Sequence, residues 1–363
     1  MVIKIGSALL VDGQTGQLRQ EWLAALARDV AHLRSKNIQV IIVSSGSIAL
    51  GRKILGLKPG KRLEENQAAA ATGQIELASA YRQKFSDHKI AVAQILLTYG
   101  DTEERRRYLN ARNTINRLLD LGVVPVINEN DSVATDEMRY GDNDRLAARV
   151  ASMCEADGLI LLSDIDGLYN ANPKTDDKAI FIHEVPEITP EIEAMAGTPV
   201  STGYGTGGMI TKIAAGKIAT DSGCAMLIIN GSQCAPIHRY LDSGRGTYFP
   251  ASSTPLSPKK KWIGAALETS GSLILDPGAV QALAGGKSLL PAGIIGVTGD
   301  FERGDTVKIC TENGDIIGQG LVAYDAKSSK KLMGRKSHEI EEILGFSGRD
   351  EMIHRNDLVY NKV

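Results

Sequence analysis

Short apolar runs that stop abruptly at glycine, serine, asparagine or aspartate, and that alternate with helical patterns, constrain this chain more than any other feature. Residues 2–5 (VIKI) read as a strand broken by Gly6-Ser7, and 38–43 (IQVIIV) as a buried-type strand ending at Ser44-Ser45-Gly46-Ser47. IAVAQILL (90–97), VVPVI (123–127), GLILLS (158–163) and CAMLIIN (224–230) continue the series. Between them, Trp22, Leu26, Val30 and Leu33 recur at helical spacing, and 64–85 is Ala-rich and helical. Further helices are expected behind Thr102, from about Asn143 to Cys154, and from near Gly208. Strands that alternate with helices pair in parallel and carry helices on both faces. The expected fold is therefore α/β, a three-layer sandwich around a mainly parallel open sheet. Pro125 has no amide hydrogen for a ladder, which suggests an edge strand or a bulge at 123–127.

In such sheets ligands bind beyond the carboxyl ends of the strands. The polar clusters Gly6-Ser7, Ser45-Gly46, Asn128 to Asp131 and Ser163-Asp164 fall there. A second acidic group, Gly141-Asp142-Asn143-Asp144, leads into a helical pattern. Solvated loop acids, a metal site and a pocket for a small charged molecule all fit that composition. Asp142 reads best as a helix cap. There is no EF-hand spacing, and magnesium carried by a nucleotide needs few protein carboxylates. Lys4 lies inside an apolar strand, where an ammonium is costly to bury unless it is paired or bound to an anion. It either reaches solvent from an edge strand or points at phosphate beside the Gly6-Ser7 amides.

GYGTGGMITK (203–212) contains G-x-G-x-x-G at Gly203, Gly205 and Gly208. No strand runs directly into it and no strand-end acid follows about 20 residues later, so it is not read as a nicotinamide site. A Gly-rich turn opening a helix still offers free amides to phosphate, with Lys212 about one turn inside that helix; a plain surface loop is the alternative. Gly286-Lys287-Ser288 looks like the tail of a P-loop, but Gln281 stands where the first glycine is required. Taken together, two lysines suit a phosphoryl group in transfer, and the acids and amides suit the cationic amine of an acceptor. That combination favours an amino acid kinase over a hydride enzyme.

The net charge of −2 and a pI near 6.3 give no general footprint for nucleic acid or an anionic membrane. Cys154, Cys224, Cys234 and Cys310 form no C-x-x-C pair, and the histidines are scattered. A disulfide framework or zinc site is not expected, and a reducing cytoplasm is. Met1 lies directly on the first strand, and no apolar run nears membrane-spanning length, so neither a signal peptide nor a membrane partner is expected. FPASSTPLSPKKKW (249–262) carries Pro250, Pro255 and Pro258 and reads as a linker. Beyond it, SLIL, GIIGV, TVKIC and IIGQGLV are strand-like and separated by Gly-rich turns. The domain division is thus 1–250, a linker at 251–262, a β-rich module at 263–345 and an extension at 346–363.

VIKIGSALL, IIVSSGSIALG, YLNARNTI, VVPVINENDSVAT, GDNDRLAA, LLSDIDGLY and GTGGMITK together resemble the amino acid kinase family over residues 1–250. Within it they resemble the members that act on L-glutamate. LDPGAVQALAGGKSLLPAGIIGVTGDFERGD resembles a PUA domain. The resemblance implies the amino acid kinase fold and transfer of the γ-phosphoryl of ATP, with Mg2+, to the side-chain carboxylate of L-glutamate. The product, L-glutamyl 5-phosphate, begins proline biosynthesis, with feedback inhibition by proline, a downstream glutamyl phosphate reductase and a homo-oligomer also implied. By the same resemblance Lys4 and Lys212 contact the phosphates and Asp144 holds them. Ser45, Asp131 and Asn143 bind glutamate, with Asn128 a further candidate. Ser163, Asp164, Thr206, Gly207, Gly208, Met209, Ile210, Thr211 and Lys212 line the nucleotide, and no dedicated metal ligands are implied. RNA is the rival partner, because PUA domains occur in RNA-modifying proteins. Residues 263–363 hold 11 Lys and Arg against 14 Asp and Glu, a poor electrostatic footprint for it. The short basic run at Lys327, Lys330, Lys331, Arg335 and Lys336 reads as a solvated face.

Overall fold

The structure is a computed structural model. It describes all residues except 59, 61, 134–142, 174, 198–207, 253–268, 347 and 361–363, and the side chains of 105, 106 and 356. The chain divides into two compact units, Met1–Pro255 and Leu256–Val363.

The first unit runs β1 (Val2–Ile5), α1 (Ser7–Leu10), α2 (Gln20–Ser35), β2 (Ile41–Val43), α3 (Ser47–Leu55), α4 (Leu63–Ser86) and β3 (Val92–Leu97). It continues with α5 (Tyr99–Glu103), α6 (Arg105–Asp120), β4 (Val124–Glu129), α7 (Asn143–Met153), β5 (Gly158–Ser163), β6 (Leu168–Tyr169) and β7 (Phe181–Ile182). It closes with α8 (Pro190–Met195), α9 (Met209–Asp221), β8 (Ala225–Asn230), α10 (Pro236–Ser243) and β9 (Thr247–Phe249). The main sheet has the order β3-β4-β2-β1-β5-β8-β9. Its pairs are parallel except β8 with β9.

Side chains alternate across a strand, so each strand feeds two layers. Ile3, Ile5, Val40, Ile42, Val124, Val126, Ile160, Leu162 and Ile229 form one core with α2, α4 and α10. Trp22, Leu26, Val30 and Leu33 of α2 supply its helical side, each worth about 1.5–3 kcal/mol when fully buried. The Trp22 indole also donates to the Gly231 carbonyl at 2.7 Å. On the opposite face, even-numbered positions of β1 put Val2 and Lys4 towards α7, which in turn packs on α9. That parity delivers Lys4 to the charged residues of α7 and α9. β1 is the central strand, between β2 and β5, so Lys4 is not an edge lysine.

Pro125 requires a correction. β4 lies between β3 and β2 and is not an edge strand. The Val124 amide donates to Ala91 on the β3 side, and Ile127 accepts from the Ser44 amide on the β2 side. Residues therefore alternate sides, and the missing amide of Pro125 faces β2. The β2 register begins only at Ile42 opposite Val126, so Pro125 lies before that ladder starts and disrupts nothing.

The second unit contains β10 (Gly271–Leu275), α11 (Pro277–Ala284), β11 (Ile294–Gly299), β12 (Thr306–Thr311), β13 (Ile316–Leu321), α12 (Ala326–Leu332), α13 (Ile340–Leu344) and β14 (Leu358–Tyr360). Its sheet has the order β11-β10-β12-β13-β14 around an apolar core that includes Leu273, Phe301, Ile309, Leu332 and Ile353. β14 pairs with β13 through Gly318 and Tyr360, so the segment expected as an extension beyond 345 contributes a strand to this sheet. Most of the expected linker lies outside the described residues. Among the described residues no helix is long and apolar enough to cross a membrane.

Candidate active site

The carboxyl ends of β1, β2, β4 and β5 and the first turns of α3, α7 and α9 hold the polar residues singled out above. α7 starts at Asn143 and carries Asp144, which is 1% exposed. Lys4 Nζ stands 2.6 Å from Asp144 Oδ1, and Lys212 Nζ donates to Asp144 Oδ2 at 3.1 Å. The Thr211 hydroxyl lies 2.9 Å from the same Oδ2 and accepts the Gly208 amide. Burial alone would push the Asp144 carboxyl up; the Lys4 and Lys212 ammonium groups override it and hold the group well below the ordinary carboxylate range. Two buried cations thus share one buried anion. Each ammonium has three donors, so donors remain for a ligand.

A neutral network lies at the ends of β2 and β4. The Asn143 side-chain amide faces the Ser44 carbonyl at 2.5 Å, Ser45 Oγ at 2.7 Å and Asn128 Oδ1 at 3.0 Å. Two hydrogens cannot serve three acceptors, and the Ser45 hydroxyl, which can also donate, is the member able to turn to a ligand. Asn128 is 2% exposed and donates to Gln74 Oε1 at 2.9 Å and Ser47 Oγ at 3.3 Å. Its own Oδ1 accepts the Glu129 amide at 2.9 Å as well as Asn143. Both donors and both acceptor positions of Asn128 are filled by protein, so it holds the network together and has no capacity left for glutamate. Asp131 lies half-buried in the turn after β4, a turn tied to the end of β3 by the Asn130 amide on the Leu97 carbonyl.

Ser163 ends β5, is buried, and its hydroxyl donates to Asp164 Oδ1 at 3.3 Å. Gly208 caps α9, with Met209 and Ile210 half-buried in its first turn. The N-terminus of a helix suits an anion. Thr206, Gly207 and Asp142 lie outside the described residues.

Sequence reasoning did not find Gln74, Ser47 or the Arg149 group. Arg149 of α7 is 3% exposed, pairs with Glu103, donates to Thr102 Oγ1 at 3.2 Å and lies over the Tyr99 ring, fastening α7 to α5. One signal for Gln74 was available: Gly73 interrupts an Ala-rich helix, at about 1 kcal/mol relative to alanine. A Cβ there would overlap the Ser47 carbonyl, so this glycine lets α4 lie directly on the start of α3. Among the described residues no cluster of three His, Cys, Asp or Glu could hold a metal ion.

A model of the amino acid kinase family matches residues 1–230, and one of the PUA domain matches 271–344. The chain is 57% identical over 359 residues to the glutamate 5-kinase of Paramagnetospirillum magneticum, covering 99% of this chain and 97% of that one. It is 58% identical over 360 residues to the glutamate 5-kinase of Rhizobium etli, covering 99% and 92%. Among solved structures it is similar to the UMP kinase of Ureaplasma parvum, at 17% identity and a TM-score of 0.47 over 69% of this chain and 97% of that chain.

Proposed function

The chain belongs to the amino acid kinase family and, within it, to the glutamate 5-kinases, and from that premise we propose how its residues divide the work. The observation that carries the proposal is the buried Lys4–Asp144–Lys212 triad at the strand ends. The side-chain carboxylate of L-glutamate, with a pKa of about 4.3, is ionised at pH 7 and needs no general base. One of its oxygens forms a bond to the γ-phosphorus of ATP as the bond to the β–γ bridging oxygen breaks and ADP leaves with the electron pair. Lys4 and Lys212 meet the negative charge on the phosphoryl oxygens. Asp144 stays ionised, takes no proton from substrate, and fixes both ammonium groups. Little else is required of the protein than position and charge.

Asn143 and Ser45 hold the amino acid, and Asp131 meets its ammonium. Ser163, Asp164 and residues 206–212 line the nucleotide. Magnesium would come with the phosphates of ATP, and the donor set fits that: Asp144 is committed to two lysines, and a nucleotide-borne cation needs few protein carboxylates. Bound there, it would neutralise phosphate oxygens. The acyl phosphate product begins proline biosynthesis and passes to a glutamyl phosphate reductase. Trapping with hydroxylamine tests the reaction: ATP and L-glutamate should yield hydroxamate well above the yield with aspartate or N-acetylglutamate, and equal yields would refute the assignment.

Feedback by proline follows from the same groups. Proline shares the α-carboxylate and cationic amine of glutamate but lacks the carboxylate that accepts phosphate. It can occupy the pocket without reacting. Losing one partner of a desolvated charged pair costs roughly 2–5 kcal/mol. Asp131→Asn should therefore weaken glutamate binding and proline inhibition together, each by about tenfold or more. A proline inhibition constant that stays put while glutamate weakens would require a separate regulatory site.

A further inference from the structure

We infer that Gln74 of α4 is a substrate-contacting residue whose side-chain nitrogen donates to the α-carboxylate of the amino acid. The inference rests on the glutamate reading above and adds to it a residue and a direction of hydrogen bonding.

The direction can be derived from a single backbone group. The Glu129 amide is a donor and nothing else, and it lies 2.9 Å from Asn128. The Asn128 atom facing it must be the oxygen. The Asn128 nitrogen is then turned towards Gln74, at 2.9 Å, so the Gln74 atom facing it must be the oxygen Oε1. Gln74 Nε2 is left pointing away, with no hydrogen-bond partner among the described residues, on a side chain in a residue only 8% exposed. That nitrogen is not one of the sealed, unpartnered side-chain atoms of the interior, so it is a donor that a ligand can reach.

The other end of the relay is fixed in the same way. The Ser44 carbonyl can only accept, so the Asn143 atom facing it at 2.5 Å is the nitrogen, which also meets Asn128 Oδ1. Asn143 Oδ1 is thereby left as an acceptor without a partner among the described residues. The network Gln74–Asn128–Asn143 therefore ends in a donor on one side and an acceptor on the other. A zwitterionic amino acid presents the complementary pair, a carboxylate and an ammonium.

Chemistry decides which carboxylate Gln74 takes. The side-chain carboxylate must face Lys4 and Lys212, because it receives the phosphoryl group. The ammonium needs acceptors, which Asn143 Oδ1 and Asp131 supply. The α-carboxylate then needs donors beyond the Ser45 hydroxyl. The start of α3 adds to Gln74 Nε2: Gly46 provides no side-chain cap, and among the described residues no side chain accepts from the first amides of this nine-residue helix. The two features adjoin. Gly73 puts the α4 backbone against the Ser47 carbonyl, and Ser47 Oγ accepts from the same Asn128 nitrogen that reaches Gln74.

The test compares two substitutions in the full-length enzyme. Gln74→Glu keeps an acceptor for Asn128 but replaces the free donor with negative charge. Gln74→Met removes both at similar volume. The readouts are KM for L-glutamate, KM for ATP, and the inhibition constant of 4-aminobutanoate, which is glutamate without its α-carboxylate. Gln74→Glu should raise the glutamate KM by about tenfold or more, and above that of Gln74→Met, with ATP KM and the 4-aminobutanoate constant within about twofold of wild type. A near-normal glutamate KM in Gln74→Glu would reduce Gln74 to a prop for Asn128 and overturn the inference. So would a parallel rise in the 4-aminobutanoate constant. If either variant fails to fold, Gln74→Asn withdraws the same amide by one methylene, and the same selective loss for glutamate over 4-aminobutanoate is expected. Absence of hydroxamate from wild-type enzyme and glutamate would instead refute the underlying kinase reading.

Discussion

The first unit places Lys4, Asp29, Arg52, Glu129, Asp144, Arg149 and Lys212 in its interior, whereas among the described residues of the second only Asp357 is both charged and buried. Acids of the second unit serve its surface instead: Asp276 and Asp325 cap α11 and α12 by accepting the Ala279 and Ser328 amides at 2.7 Å each. Both units have an apolar core and a sheet. Interior charge costs stability unless it is paired, and replacing such pairs by apolar residues is often neutral or stabilising. A fold that needed only to be stable would resemble the second unit. The first keeps charge where the proposed chemistry requires it, and the contrast can be broken at three points.

The largest effect should come from Asp144→Asn. It leaves two ammonium groups together in a buried site, and breaking a buried ion pair costs about 3–5 kcal/mol. The sign of the pH dependence follows from the depressed carboxyl. The folded state binds fewer protons than the unfolded state, so the contribution of Asp144 is complete above the ordinary carboxylate value of 3.8 and is lost progressively as pH falls below it. Urea unfolding of wild type between about pH 5 and pH 3 should show that loss. Asp144→Asn should be less stable at pH 7 and decline less on acidification. Equal stability at pH 7 would mean the triad does not hold the first unit together.

Next in size are Lys4→Ala and Lys212→Ala. Removing a donor to charge that develops in transfer costs about 3–4 kcal/mol, or 10²–10³ in kcat, with little change in glutamate KM. A folded variant with wild-type kcat would make the buried lysines structural, and the two units would differ only in how they fill space.

The contrast also explains what could be read from the amino acids alone. Lys4, Asp144 and Lys212 are legible because each sits at a strand end or helix start, where local pattern and chemistry agree. Gln74 is not. It lies 54 residues from Asn128 in sequence, on a helix whose alanines mask which face is buried, and a lone glutamine there reads as solvated. Pro125 misled for a related reason: its local rule concerns an amide hydrogen, and only the β2 register shows that no ladder partner was waiting for it. β14 was missed because a three-residue strand has too short a period to register, and its pairing is with distant residues of β13, Gln319 opposite Val359 and Gly318 opposite Tyr360.

The smallest expected effect is that of removing the second unit. Every residue assigned to the site precedes Pro255, and β9, the last strand of the main sheet, ends at Phe249. A chain ending at Thr254 should keep kcat for glutamate phosphorylation within about twofold, as independent units allow. A soluble, folded fragment without activity would show that the second unit completes the site or an assembly. The match to the family model stops earlier, at residue 230, and a second cut there makes the comparison sharper. That cut removes the carbonyl of Gly231 that accepts from buried Trp22, the Ile237 amide that meets buried Asp29, and Arg245, which pairs with Asp166. It also removes Phe249, fully buried beside Met226, and leaves β8 as an unpaired edge. Burying one phenylalanine side chain is worth about 1.5–3 kcal/mol, and an orphaned carboxylate or indole adds to the cost. The shorter fragment should be insoluble or unfolded by circular dichroism while the longer one is active. If both are active, the boundary of the catalytic unit lies at the end of the family match, and α10 and β9 are additions to a fold already complete without them.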